Sequence, residues 1–166
     1  GAWLRLRGET PWLALLVLGM VAAQISDVFL SPDNVINVLR QVTVVGLVAI
    51  GMTVVLTAGH FDLSAGAVVT LGAVASLSLE PVTPGAVFLA ILLPLSLGAL
   101  VGLCNGAIVG HFKANSIVVT VGMQFVVTGL VLLAVDGQHV RLDGAAAAYI
   151  AVAEGVFLGI PVPVWL

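Results

Sequence analysis

The length of its apolar runs limits the folds open to this chain more than any other feature. Pro11 to Ile25, Val35 to Ala58, Leu63 to Leu79, Gly85 to Val109 and Ser116 to Val135 carry almost no charge. A helix needs roughly 17 to 25 such residues to cross a bilayer, and each run is near or within that length. Hydrophobic residues make up 61% of the chain and charged residues 8%, where a water-soluble domain carries about 25% charged residues. This sequence has too little polar surface to face water on all sides. Apolar and polar residues do not alternate with the period of two that a transmembrane barrel requires. The expected fold is all-α, a polytopic transmembrane helical bundle of about five spans forming one domain over residues 1–166. A shorter run, Ala145 to Phe157, carries Glu154 and is expected to be an interfacial or partly buried helix. The chain opens on Gly1 and stops in GIPVPVWL, where a further apolar run begins, so an N-terminal fragment of a longer protein is expected.

Charge narrows the partners. The net charge is -3 and the five basic residues are scattered, so no basic patch is available for nucleic acid. Lys and Arg favour the cytoplasmic side of membrane spans. Arg5, Arg7 and Lys113 fall on one side of five alternating spans, and Arg40 and Arg141 on the other. The N-terminus and the Lys113 loop are therefore expected in the cytoplasm. The first apolar run ends in Gln24-Ile25-Ser26-Asp27 with no small-x-small cleavage site, so it reads as a span rather than a removable leader. Pro11 suits the first turn of that helix, and Ser31 or Asp33 is placed to cap the second.

One polar interruption stands out, TAGHFDLSAG at Thr57 to Gly66. Gly59 suits the left-handed position that ends a helix. Asp62 or Ser64 suits the start of the next, where a carboxylate or hydroxyl accepts from free N–H groups and a negative charge meets the positive end of the helix dipole. This is a capped connector. The same residues also fit a helix break lining a solute path, because non-helical backbone at membrane depth survives only where protein or a water-filled cavity surrounds it. The two readings are compatible and differ in depth.

The fourth run carries Gly98, Gly102, Gly106 and Gly110, one every four residues and so nearly on one helix face. Such a stripe lets a second backbone approach closely. Asn105 lies among them, either as a hydrogen-bonding contact between helices or as a polar contact for a solute. Cys104 is expected to be a small buried residue and, as the single cysteine, forms no intrachain disulfide. His60, Asp62, Cys104 and His111 lack the spacing of a metal site or a catalytic set, and there is no phosphate-binding loop. No metal, cofactor or catalytic residue is expected in this chain.

Several motifs in order resemble one family. NVLRQ at Asn37 to Gln41 and GMTVV at Gly51 to Val55 precede HFDLSAG at His60 to Gly66. Next come Gly102, Asn105 and Gly106 of GLCNG, followed by Thr120, Gly122 and Met123; LGIPVP follows near the end. This succession is similar to the N-terminal half of permeases from bacterial ATP-binding-cassette importers for monosaccharides, of the ribose, xylose and autoinducer-2 type. The resemblance implies a permease subunit in the bacterial inner membrane that forms part of a path for a small polar solute. It implies a second permease subunit, a cytoplasmic ATP-binding subunit that hydrolyses ATP, and an extracytoplasmic solute-binding protein. On it, Asp62 and Ser64 shape the helix break near the path, Gly66 allows close approach and Asn105 is a polar helix contact. Two positions depart from the pattern: His60 stands where the family prefers glycine, and Thr128 where it often has arginine. The alternative is a truncated remnant or membrane assembly partner without transport activity. A third reading, an intramembrane enzyme, has no supporting motif.

Overall fold

The computed structural model describes residues 2–79, 83–136, 150 and 154–165. Five helices follow in order: α1 (Ala2–Ile25), α2 (Pro32–Thr57), α3 (Ala65–Leu77), α4 (Pro84–Phe112) and α5 (Ser116–Val135). A two-stranded hairpin, β1 (Val156–Phe157) with β2 (Ile160–Pro161), and a 3-10 helix (Val162–Trp165) close the chain. This is the all-α bundle expected from the apolar runs. Three helices, α2, α4 and α5, are long and apolar enough to cross a membrane, and Pro11–Ile25 and α3 are shorter apolar helices.

The helix limits follow local chemistry. Pro11 lies inside α1 rather than in its first turn; with no N–H to give, it leaves the carbonyl four residues back without a helix bond. Of the two candidate caps for α2, Ser31 takes the position, and its hydroxyl accepts the Asn34 N–H at 3.3 Å. Pro32 then occupies the first turn, so α2 starts three residues before Val35. Thr83 and Asn115 cap α4 and α5 in the same way, accepting from Ala86 and from Ile117 and Val118. The expected third span, Leu63 to Leu79, is cut at both ends. α3 has 13 residues, which is about 20 Å of helix against roughly 30 Å of hydrocarbon.

α3 packs between α4 and α5. The closest approach is at Gly72, where an added Cβ would lie 3.3 Å from the Pro94 Cβ. Gly98 faces Val68 Cγ1 at 3.5 Å by the same measure. Small residues here let two backbones meet, as packing in lipid demands. Ala67, Ala90, Val127 and Val131 are buried in this core, while most large apolar side chains face outward.

α2 instead packs on the hairpin and the 3-10 helix. Arg40 donates through Nη2 to the Glu154 carbonyl, and Pro161 is fully buried. The expected helix over Ala145 to Phe157 is corrected in part. Ile150 and Glu154 are helical, Val156 and Phe157 form a strand, and the other residues of that run lie outside the described ones. Leu158 and Gly159, both at positive φ (53° and 78°), make the two-residue turn that matches the twist of paired strands.

Gly72→Leu forces a branched side chain against Pro94. In the full-length protein it is expected to lower stability by about 1–3 kcal/mol, read as an earlier thermal unfolding in detergent. An unchanged unfolding temperature contradicts the α3–α4 approach.

Candidate solute path at the α2–α3 break

Residues 58–64 connect α2 to α3 without helix, and most of their backbone N–H groups have identified partners. α2 ends in a double closure: the Gly59 N–H donates to the Leu56 carbonyl at 2.9 Å and the His60 N–H to the Val55 carbonyl at 3.1 Å. That pattern requires a left-handed residue at the turn, and Gly59 supplies it with φ 79°. The glycine the turn needs is therefore Gly59. His60 follows it with its backbone committed and its side chain exposed.

The segment is then fastened to α5 and α4. The Phe61 N–H donates to Ser116 Oγ at 3.2 Å, and the Leu63 N–H to Thr120 Oγ1 at 3.0 Å. Thr120 in turn donates to the Ser116 carbonyl at 2.8 Å. Asp62 Oδ1 accepts both the N–H and the hydroxyl of Ser64, at 2.8 and 2.6 Å. Asn105 Nδ2 of α4 donates to Ser64 Oγ at 3.0 Å. Ser64, Asn105 and Thr120 are buried, with Ser64 fully so. Ser64 holds the cap position of α3 but its side chain makes no capping bond. Asp62 accepts from Ser64, just before the helix, rather than from the N–H groups of its first turn. The expectation of a side-chain cap gives way to a carboxylate-centred turn that positions Ser64.

These contacts set the depth of the break. Ser116 is the first residue of α5 and Thr120 lies one turn further in. Asn105 precedes the last residue of α4, Phe112, by seven positions, or about 10 Å of helix. The chain thus enters from the end of the bundle that carries the α4–α5 turn and starts α3 below that surface.

Two cavities flank the break. One, about 310 Å³, is bordered by Val54, Val55, His60, Asp62, Asn105 and Thr120 among others. The second, about 290 Å³, lies between α2 and the α3–α4 pair and is bordered by Gly51, Met52, Asp62, Ser64 and Val68 among others. Asp62 borders both. Such volumes sit at the lower end of the roughly 300–1,000 Å³ of small-molecule sites. Among the residues named as lining either cavity there is no Lys or Arg.

The glycine stripe divides. Gly98 faces α3, whereas an added Cβ at Gly102, Gly106 or Gly110 would meet nothing within 4 Å. Gly102 borders both cavities and Gly106 the larger. Gly66, in the first turn of α3, is exposed with open space at its Cβ position, so the close approach expected there is not made by the described residues. Cys104, expected to be buried, is exposed, because it lies about 100° around α4 from the buried Asn105. Ser116 and Thr120 were not singled out as site residues by sequence reasoning. Their signal was present: two hydroxyls four apart, on one face of a helix otherwise rich in Val.

Residues 34–157 match the sequence profile of a family described as branched-chain amino acid transport system / permease component. The chain belongs to this permease family. It is 33% identical over 161 residues to the ribose import permease of Haemophilus influenzae, covering 95% of this chain and 49% of that protein. Identity to the ribose import permease of Bacillus subtilis is 37% over 155 residues, covering 92% and 47%. The L-arabinose transporter permease of Azospirillum brasilense is 32% identical over 165 residues, covering 99% and 48%. The chain spans about half the length of these relatives. No solved structure matches it. The resemblance to sugar-import permeases drawn from the motifs is thus matched across nearly the whole chain.

Thr120→Val removes the acceptor for the Leu63 N–H and leaves that donor unpaired, at a cost of about 1–3 kcal/mol. In the full-length permease, amide hydrogen exchange across residues 59–64 is expected to speed up by tenfold or more, with α1 unaffected. Unchanged exchange in that segment contradicts the fastening described.

Proposed function

We propose that this chain supplies part of the translocation path of an ATP-binding-cassette importer for a monosaccharide or similar small neutral polar solute. The observation that carries the reading is the polar break that begins inside an apolar bundle and borders two cavities. Backbone of this kind is stable in a membrane only against protein or a water-lined space. The family description names branched-chain amino acids, while the relatives cited above are named for ribose and arabinose. The chemistry of the cavities favours the sugar. An amino acid carries an ammonium that Asp62 could receive, but also a carboxylate for which there is no Lys or Arg among the lining residues. A neutral polyol brings hydroxyls, which both donate and accept.

On this reading the chain performs no covalent chemistry and binds no cofactor. A cytoplasmic ATP-binding subunit hydrolyses ATP, a second permease subunit completes the path, and an extracytoplasmic binding protein delivers the solute. The protein resides in the bacterial inner membrane with its N-terminus in the cytoplasm. The break and the Lys113 turn then share the cytoplasmic end. Asp62 and Ser64 shape the break, Gly66 leaves space at the start of α3, and Gly102 and Gly106 leave space beside it. The remnant or assembly-partner reading has no observation of its own.

The test is ATP-driven uptake by the full-length permease, reconstituted with its ATPase and binding protein. Ribose, arabinose or xylose is expected to accumulate and leucine is not. Asp62→Ala is expected to lower sugar uptake at least tenfold at an unchanged protein level. Uptake of leucine in place of any sugar overturns the solute class, and wild-type uptake by Asp62→Ala overturns the role of the break.

A further inference from the structure

The hydrogen bonds at the break run in one direction and end on an atom with no partner. Ser64 has a single hydroxyl proton, and its Oγ lies 2.6 Å from Asp62 Oδ1. The same Oδ1 accepts the Ser64 N–H at 2.8 Å, so it is the acceptor of the pair and the hydroxyl proton points there. Ser64 Oγ is then left as an acceptor, and Asn105 must present its NH₂ group to it, as the 3.0 Å contact has it. Turning the amide over would set two acceptor oxygens against each other. The orientation of Asn105 is therefore dictated from Asp62, and its Oδ1 is left facing elsewhere. That oxygen is buried and has no hydrogen-bond partner, in a residue only 6% exposed that borders the larger cavity. Nearby donors are engaged: the Thr120 hydroxyl on the Ser116 carbonyl, the Leu63 N–H on Thr120 and the Phe61 N–H on Ser116.

We propose that Asn105 Oδ1 accepts a hydrogen bond from one hydroxyl of the transported solute and thereby selects polyols over their deoxy analogues at this point of the path. The inference rests on the reading of the cavity as part of the solute path. A buried acceptor without a donor is unfavourable, and a solute hydroxyl relieves it where a C–H cannot; sites built this way discriminate strongly against the analogue that lacks the group. In the conformation described, Oδ1 is sealed from water. The hydroxyl reaches it when α2 moves away from the break. α2 packs chiefly on the hairpin and the 3-10 helix, and is separated from α3 and α4 by cavity, so it is the wall with room to move. The subsite is thus open in one state of the cycle and closed in the other.

The experiment uses the full-length permease reconstituted with its partner subunits. Uptake kcat/KM is measured for ribose, arabinose and xylose, and then for each monodeoxy analogue of the best-transported sugar. Each sugar-to-analogue ratio is compared between wild type and variant, so selection by the other subunits cancels. Asn105→Ala is expected to lower the ratio for one analogue roughly tenfold, about the worth of one such hydrogen bond, and to leave the other ratios unchanged. Asn105→Gln keeps both the amide donor for Ser64 and an acceptor oxygen, and is expected to keep that ratio. It decides the matter if the alanine variant does not accumulate in the membrane. Ratios for all analogues that match wild type in Asn105→Ala, or a ratio lost in Asn105→Gln, overturn the subsite and leave Asn105 a structural contact. If wild type transports none of the three sugars, the function proposed above fails and the subsite with it, an outcome distinct from sugar transport with unaltered ratios.

Discussion

The hydroxyl of Ser64 joins three elements that would otherwise separate. It donates to Asp62, accepts from Asn105 of α4 and sits fully buried at the first turn of α3. In hydrocarbon there is no water to receive the backbone groups of a non-helical segment, so each group needs a partner within the protein. The N–H groups of Gly59, His60, Phe61 and Leu63 meet this demand with Leu56 and Val55 behind them, and with Ser116 and Thr120 beside them. The short α3 follows from the same arrangement. Its start is fixed inside the bundle, so 13 residues take it only part of the way back. Its close fit against α4 at Gly72 and Pro94 uses small and ring-constrained residues where longer side chains would hold the helices apart.

On the function proposed, the same polar cluster links structure to transport. A path for a sugar must offer hydrogen bonds without binding so tightly that the solute cannot leave. Here most polar groups of the break are satisfied by the protein itself, and few are left to a guest. Asp62 borders both cavities, so a displacement of the break alters both at once. α3, α4 and α5 pack on one another while α2 packs on the hairpin and the 3-10 helix, so the two walls of the cavity belong to different packing units.

Much of this was legible in the sequence, for definite reasons. Apolar length marks helices in a membrane protein with little ambiguity, and glycine, serine and proline mark their ends, as at Ser31-Pro32 and Gly59. The Asp62–Ser64 pair was legible as the polar point of the break because charge is rare in such a chain. The role of each residue was less so. Capping and turn formation use the same residue types one or two positions apart, and only coordinates separate them. Pro11 and Cys104 were misplaced because a helix can continue through proline, and because period alone does not say which face of α4 meets α3. The hairpin at 156–161 was hidden by apolar residues that suit a buried helix and a short strand equally. Ser116 and Thr120 lie more than fifty residues from the groups they hold, and no local pattern names such a partner.

The most direct test of this account is a double-mutant cycle between Ser64→Ala and Asn105→Ala, read by unfolding of the full-length permease in detergent. If the α2–α3 break is fastened to α4 through these two side chains, the two losses overlap, and a coupling of about 0.5–3 kcal/mol is expected. Losses that simply add, within about 0.3–0.5 kcal/mol, would show that the two side chains do not hold each other and would contradict the account.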